Sequence, residues 1–222
     1  FLDDGILAAA APGTVMIDSS TIDVGSAQAV HESAKSAGFN MIDAPVSGGV
    51  TGADAGTLTF MCGGDKDSFE KAKPILQGMG KNVVHCGSGG LGQATKICNN
   101  MLAGVNALAA AEAMTMGERL GVSPEILYEV ISTSTGRSYI FETSNPMPNV
   151  CNTSPANNNF KPGFMAKLML KDLRLSQAAA QDAKTSTPLG AAATAAFQQL
   201  IDSGFGDLDT SSIIKVIRPK SK

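Results

Sequence analysis

From residue 14 to residue 86 the chain alternates between two hydrophobic periods. TVMID (14–18) is a short apolar run bounded by Pro12-Gly13 and by the turn formers Ser19-Ser20-Thr21, the pattern of a buried strand. The period then lengthens to that of a helix from Asp23 to Ala37, with Asp23 as its cap and Gly38 as its stop. FNMIDAPV predicts a second strand, TLTFMCG a third, DKDSFEKAKPILQGM a helix capped by Asp65, and NVVHC a fourth, buried strand. Strands alternating with helices predict a largely parallel sheet covered on both faces. The opening FLDDGILAAAAPGT reads as the end of a helix followed by a strand, as though the chain starts in the middle of a fold.

From Gly90 onward the pattern is helical and stays so. QATKICNNMLAGVNALAAAEAMTMGERLG predicts one long helix, with Ile97, Met101, Val105 and Leu108 on one apolar face. Segments at 124–132, 163–183, 188–203 and 210–217 also predict helices. The expected fold is therefore an α/β part over residues 1–89 followed by an all-α domain over residues 90–222, joined through the long helix. Residues 144–159, SNPMPNVCNTSPANNN, form the one long irregular stretch, and connections of that length are commonly functional or mobile.

Composition narrows the function classes. The 222 residues are 43% hydrophobic, enough for a sizeable core, and the net charge is −3 with scattered lysines and arginines. That excludes the basic stripe a nucleic acid needs. The sequence contains neither an uninterrupted apolar run of about 18 residues nor a visible signal peptide, so a soluble protein is expected. Cys62, Cys86, Cys98 and Cys151 lack the spacing of a zinc site or a disulfide framework. His31 and His85 fall on a predicted helix and a predicted strand, in a setting that suggests structural roles and no metal.

GSGGLG (87–92) fits the dinucleotide fingerprint G-x-G-x-x-G but not its context. The acidic residue at the required distance, Glu112, lies inside the long helix and so cannot close a strand. Four other segments carry candidate chemistry. Lys96 and Asn100, at i and i+4, share a face near the start of that helix and could hold and protonate an oxygen, provided Lys96 is buried or has a cationic neighbour. A solvated surface lysine is the competing reading. DAPVSGG ends a strand with Ser47, Gly48 and Gly49, a hydroxyl and open backbone N–H groups suited to a carboxylate or phosphate, or else an ordinary loop whose glycines supply positive φ. Thr21, in the Ser-Ser-Thr run, could contact a ligand at a strand's carboxyl end or simply serve helix capping. Phe164, Lys167 and Lys171 share a face with Asp172 adjacent, arranged either as a site or as a solvated helix surface.

Together these segments resemble the β-hydroxyacid dehydrogenase family. DAPVSGGVTGADAGTLTFMCGGD is similar to its substrate-binding signature, GSGGLGQATKICNN to its catalytic pattern and KDLRLS to its cofactor-side motif. The resemblance implies a Rossmann-type NAD domain, of which 1–89 is the C-terminal part, and a helical domain at 90–222. It implies Lys96 as general acid/base, Asn100 as its orienting partner, and Ser47, Gly48 and Gly49 as the carboxylate grip. Thr21, Lys171, Phe164 and Asp172 would lie on the cofactor side. In such enzymes the glycines of GSGGLG turn the chain into the long helix and do not bind pyrophosphate. A small 3-hydroxy acid substrate, a homo-oligomer and a mitochondrial location are further implications, with tartronate, glyoxylate or succinate semialdehyde reductases and a non-catalytic scaffold as alternatives. The family's N-terminal glycine-rich turn is not in this sequence, which predicts weak NAD binding by the chain as written.

Overall fold

The computed structural model of the protein describes residues 5–218, so the opening residues 1–4 of the expected helix end lie outside it. The chain divides into two compact units, Phe1–Cys98 and Asn99–Lys222. The first begins with a short helix, α1 (Ile6–Ala9), followed by β1 (Val15–Asp18), α2 (Val24–Ser36), β2 (Asn40–Asp43), β3 (Val46–Ser47) and α3 (Gly49–Asp54). It continues with β4 (Leu58–Gly63), α4 (Lys66–Gln77) and β5 (Gly80–Gly87). Both expected caps are present: the Asp23 carboxylate accepts from Ser26 N and the Asp65 carboxylate from Ser68 N, each satisfying a donor that the first helical turn leaves open.

FNMIDAPV is one extended run that changes partners midway. Over Asn40–Asp43 it pairs parallel with β1, and from Asp43 to Ser47 it pairs antiparallel with β4. Pro45 at the change has no N–H to offer a ladder, but its carbonyl still accepts from Met61 N. The sheet is therefore mixed, with parallel pairing confined to β1–β2 and β4–β5, where the alternating pattern predicted a largely parallel one. Successive side chains of β2 enter opposite cores, as a period of two requires. Met41 packs with Met16 of β1 and Ala34 of α2, and Ile42 packs with Phe69, Ala72 and Leu76 of α4. β5 is an edge strand with half of its residues exposed, Val84 among them, and so NVVHC is not the buried strand its apolar content suggested.

The long helix is α5 (Leu91–Arg119), whose residues from Asn99 onward belong to the second unit. There it is followed by α6 (Pro124–Ser132), a short α7 (Tyr139–Thr143) that periodicity missed, α8 (Ala166–Asp182), α9 (Pro188–Asp202) and α10 (Ile214–Ile217), the last preceded by a 3₁₀ turn at Thr210–Ile213. Fully buried Met114, Leu173, Phe197, Leu200 and Ile213 centre this core. Burial stabilises each such side chain by roughly 1.5–3 kcal/mol. Of the predicted Ile97-Met101-Val105-Leu108 face of α5 only Ile97 is buried and the other three are half-buried, whereas the small residues Gly104, Ala107, Ala110 and Ala111 are all buried. A Cβ at Gly104 would stand 2.9 Å from the Leu173 side chain and 3.1 Å from that of Met169, so any side chain there would have to displace those two on α8. The 144–159 stretch is tied down from within. Ser154 Oγ donates to Asn145 O, Asn157 Nδ2 to Cys151 O and Thr153 Oγ1 to Thr143 O, while Asn145 and Met147 are buried.

Candidate active site

In the first unit the site is organised by a buried aspartate. Asp43, 1% exposed at the end of β2, accepts from Gly90 N (2.8 Å), from Gln93 N (2.9 Å) and from His31 Nε2 (2.8 Å). Its carboxylate thus satisfies free N–H groups at the start of α5, where a negative charge is favoured. Burial pushes the Asp43 carboxyl upward, but the bonds from His31, Gly90 and Gln93 outweigh it and hold the group below the usual carboxylate range.

This arrangement explains the glycines of GSGGLG. A Cβ at Gly92 would lie 2.3 Å from Met61 O and 2.6 Å from Asp43 Oδ2, and one at Gly89 would lie 2.5 Å from the His31 ring. Gly90 adopts φ +85°. The turn is stripped of side chains so that it can press against Asp43 and His31. His31 thereby has the structural role its position suggested, as does His85, which stacks on Phe69 and bonds to Gly64 O.

One turn into α5, Lys96 is 8% exposed and its Nζ donates to Val46 O at 2.6 Å. It is not the solvated surface lysine that spacing alone favoured. Val46 immediately precedes Ser47, Gly48 and Gly49, so the ammonium sits against the segment expected to grip a carboxylate. Gly48 and Gly49 have φ +132° and +61°, and a Cβ at Gly48 would come within 3.1 Å of Leu58. Thr21, partly exposed, lies at the carboxyl end of β1 between two residues held by Gln93: Gln93 Nε2 donates to Ser20 O (2.8 Å) and Gln93 Oε1 accepts from Ile22 N (3.2 Å). Neither Asp43 nor Gln93 was singled out from the sequence. For Gln93 the available signal was its position at i−3 from Lys96 and i−7 from Asn100, on the same helical face.

The second unit holds the other candidates. Asn100, 5% exposed, donates through Nδ2 to Asp172 Oδ2 at 2.5 Å and accepts from Asn99 Nδ2. Asp172 is 3% exposed, and Lys171 Nζ stands 3.0 Å from its Oδ1 with the lysine side chain 46% exposed. The fold thus joins Asn100, Asp172 and Lys171 in one chain of contacts. Phe164 is partly buried against the helical core, and Lys167 pairs with Asp207 at the surface. Gly163 N and Phe164 N both donate to Asp209, another buried carboxylate that sequence reasoning passed over.

Among the described residues no group of three or more His, Cys, Asp or Glu could hold a metal ion, and no helix is long and apolar enough to cross a membrane. The exposed hydroxyl-bearing Ser19 and Ser20, with Thr21 at a strand's carboxyl end, are donors of the kind that a dinucleotide's phosphates accept. In that chemical sense the residues fit such a group.

Comparison with known proteins covers both units. A family profile described as NAD-binding of NADP-dependent 3-hydroxyisobutyrate dehydrogenase matches residues 90–217, and one described as the NAD binding domain of 6-phosphogluconate dehydrogenase matches residues 1–87. The chain is 45% identical over 217 residues to an NAD-dependent L-serine dehydrogenase of Pseudomonas aeruginosa, covering 98% of this chain and 73% of that protein. It is 42% identical over 215 residues to the mitochondrial 3-hydroxyisobutyrate dehydrogenase of Homo sapiens, covering 97% and 64%. A solved structure, Mycobacterium tuberculosis 3-hydroxyisobutyrate dehydrogenase with L-serine, superposes with a TM-score of 0.91 at 46% identity, covering 96% of this chain and 73% of that one. Relatives from bacteria and from mitochondria thus stand at similar identity.

Proposed function

This chain belongs to the β-hydroxyacid dehydrogenase family of NAD-binding oxidoreductases, and from that premise we propose that it oxidises 3-hydroxyisobutyrate to methylmalonate semialdehyde. The observation that carries the reading is Lys96, buried at the head of α5 with its Nζ against Val46 O beside Ser47. A lysine held there stands within reach of an oxygen bound beside Ser47, the placement that proton exchange with that oxygen requires. Val46 O keeps the Nζ in place through a partner that does not itself titrate near neutral pH. Ser47 Oγ and the backbone of Gly48 and Gly49 hold the substrate carboxylate, and so the hydroxyl is presented to Lys96 in one orientation. Asn100 contributes an amide whose rotation is fixed by Asp172. Lys96, as the neutral amine, takes the hydroxyl proton while the alcohol carbon gives up its hydrogen together with both bonding electrons, so that the carbonyl forms. NAD, when bound, supplies the two-electron acceptor.

L-serine is the second reading, favoured by the similarity to an L-serine dehydrogenase and to a structure carrying L-serine. The two substrates share a primary alcohol one carbon from the carboxylate-bearing carbon and differ only in whether that carbon carries a methyl or an ammonium group. The same lysine and the same carboxylate grip serve both. NADH formation by the protein, with each substrate in turn, separates them by the ratio of kcat/KM. In Lys96→Ala, kcat with the preferred substrate is expected to fall by about 10²–10⁴. Undiminished turnover in that variant would remove Lys96 as the base, and turnover of neither acid by the unaltered protein would remove the reading itself.

A further inference from the structure

We propose that Gln93 is a positioning residue that locks the segment Ser20–Ile22 to the helical turn bearing Lys96. Gln93 is fully buried, and every polar group it has towards this segment is used. Its amide donates to Ser20 O and accepts from Ile22 N, while its backbone N–H is held by Asp43. A buried glutamine is costly unless both ends of its amide are matched, and here they are matched by one short stretch of another chain segment 71 to 73 positions away.

Thr21 stands between the two tethered residues. That stretch leaves the carboxyl end of β1, the end of an open α/β sheet at which ligands bind. Three residues beyond Gln93 on the same helical face is Lys96. A single helical turn therefore fixes the strand end, through Gln93, and the Val46–Ser47 segment, through Lys96, in one rigid arrangement. Displacement by about 1 Å is enough to cost roughly 10²-fold in rate where groups must be aligned. The inference rests on the proposed reaction in one respect, that Lys96 faces the substrate, and on the family resemblance in another, that Thr21 lies on the cofactor side.

Two variants test it. Gln93→Met keeps length and burial but removes both bonds. Gln93→Glu keeps the acceptor for Ile22 N and regains the donor to Ser20 O only when its carboxyl is protonated. Without cofactor, hydrogen exchange at the Ile22 amide is expected to quicken about tenfold in Gln93→Met while the amides of β1 keep their protection. KM for NAD, and Kd for NADH by titration, are expected to rise about tenfold, with KM for the hydroxy acid within about twofold. Gln93→Glu is expected to match the unaltered protein at acidic pH and to approach Gln93→Met as pH rises. A purely structural glutamine would lower Tm without this split between the two KM values or this pH dependence.

Unchanged Ile22 exchange, or equal shifts in both KM values, would overturn the proposal. Should Gln93→Met fail to fold, Gln93→Glu across pH carries both readouts. If the unaltered protein turns over neither hydroxy acid, the proposed reaction fails, and Ile22 exchange with NADH affinity still decides the role of Gln93.

Discussion

Asp43 and Asp209 do matching work in the two units. Each is a buried carboxylate that receives two backbone N–H groups from the segment entering a helix: Gly90 and Gln93 at α5 for one, Gly163 and Phe164 ahead of α8 for the other. They differ in their remaining partners. Asp209 also caps its own 3₁₀ turn, accepting from the backbone and hydroxyl of Ser211 two residues on. The third partner of Asp43 is His31, a ring on α2 twelve positions away. Both bonds from the α5 turn to Asp43 are buried, whereas those from Gly163 and Phe164 to Asp209 are partly solvated. The same chemical device is thus a local cap with a long reach in one unit, and a staple made wholly of distant contacts in the other.

Removing each carboxylate tests that contrast most severely. Asp43→Ala is expected to cost about 3–5 kcal/mol, because it orphans buried donors and an imidazole at once. Asp209→Ala, whose donors water can partly reach, is expected to cost roughly 1–3 kcal/mol. Chemical denaturation of both variants checks the order, and equal losses would erase the distinction.

The glycines beside the two carboxylates should differ next. Gly92→Ala drives a methyl to within 2.3 Å of Met61 O and 2.6 Å of Asp43, and a loss of about 1–3 kcal/mol is expected as the turn is forced open. At Gly163 a Cβ meets nothing nearer than Asp209 Oδ2 at 3.7 Å, so Gly163→Ala is expected to stay within about 0.5 kcal/mol. Thermal unfolding of the pair measures the gap.

The smallest effect is that of pH. Because the folded pKa of Asp43 lies below its unfolded value of about 3.9, its contribution to stability is complete above that value and is lost as pH falls through the folded pKa. The stability difference between the unaltered protein and Asp43→Asn should therefore be largest near neutrality and shrink below about pH 4. A difference that is flat with pH would mean that the charge of Asp43 contributes nothing.

Much of the frame was legible in the sequence because local rules agreed with tertiary ones. Asp23 and Asp65 cap the helices their positions announced, and the change of period at Gly90 marks the start of α5. What stayed hidden depended on partners far along the chain. The change of partner within Asn40–Ser47 follows from β4, not from its own pattern, and the exposure of β5 follows from its place at the sheet edge. Lys96 and Gln93 are long polar residues on a helix, a description that fits surface positions equally well; only their packing against Val46 and Ser20–Ile22 separates the two cases. The α5 stripe of glycine and alanine was passed over because small residues carry little hydrophobic signal, although they permit the closest packing.

The sequence distance of Asp43 from its helix-side partners, 47 and 50 residues, has a kinetic meaning. Contacts of such separation close large loops and form late, after strands and helices with nearer partners have assembled. Loosening Asp43 should therefore leave the folding rate almost unchanged and speed unfolding instead. On that expectation the carboxylate bears on how long the turn before Lys96 persists once formed more than on how fast it forms, which stopped-flow folding and unfolding rates of Asp43→Asn would measure.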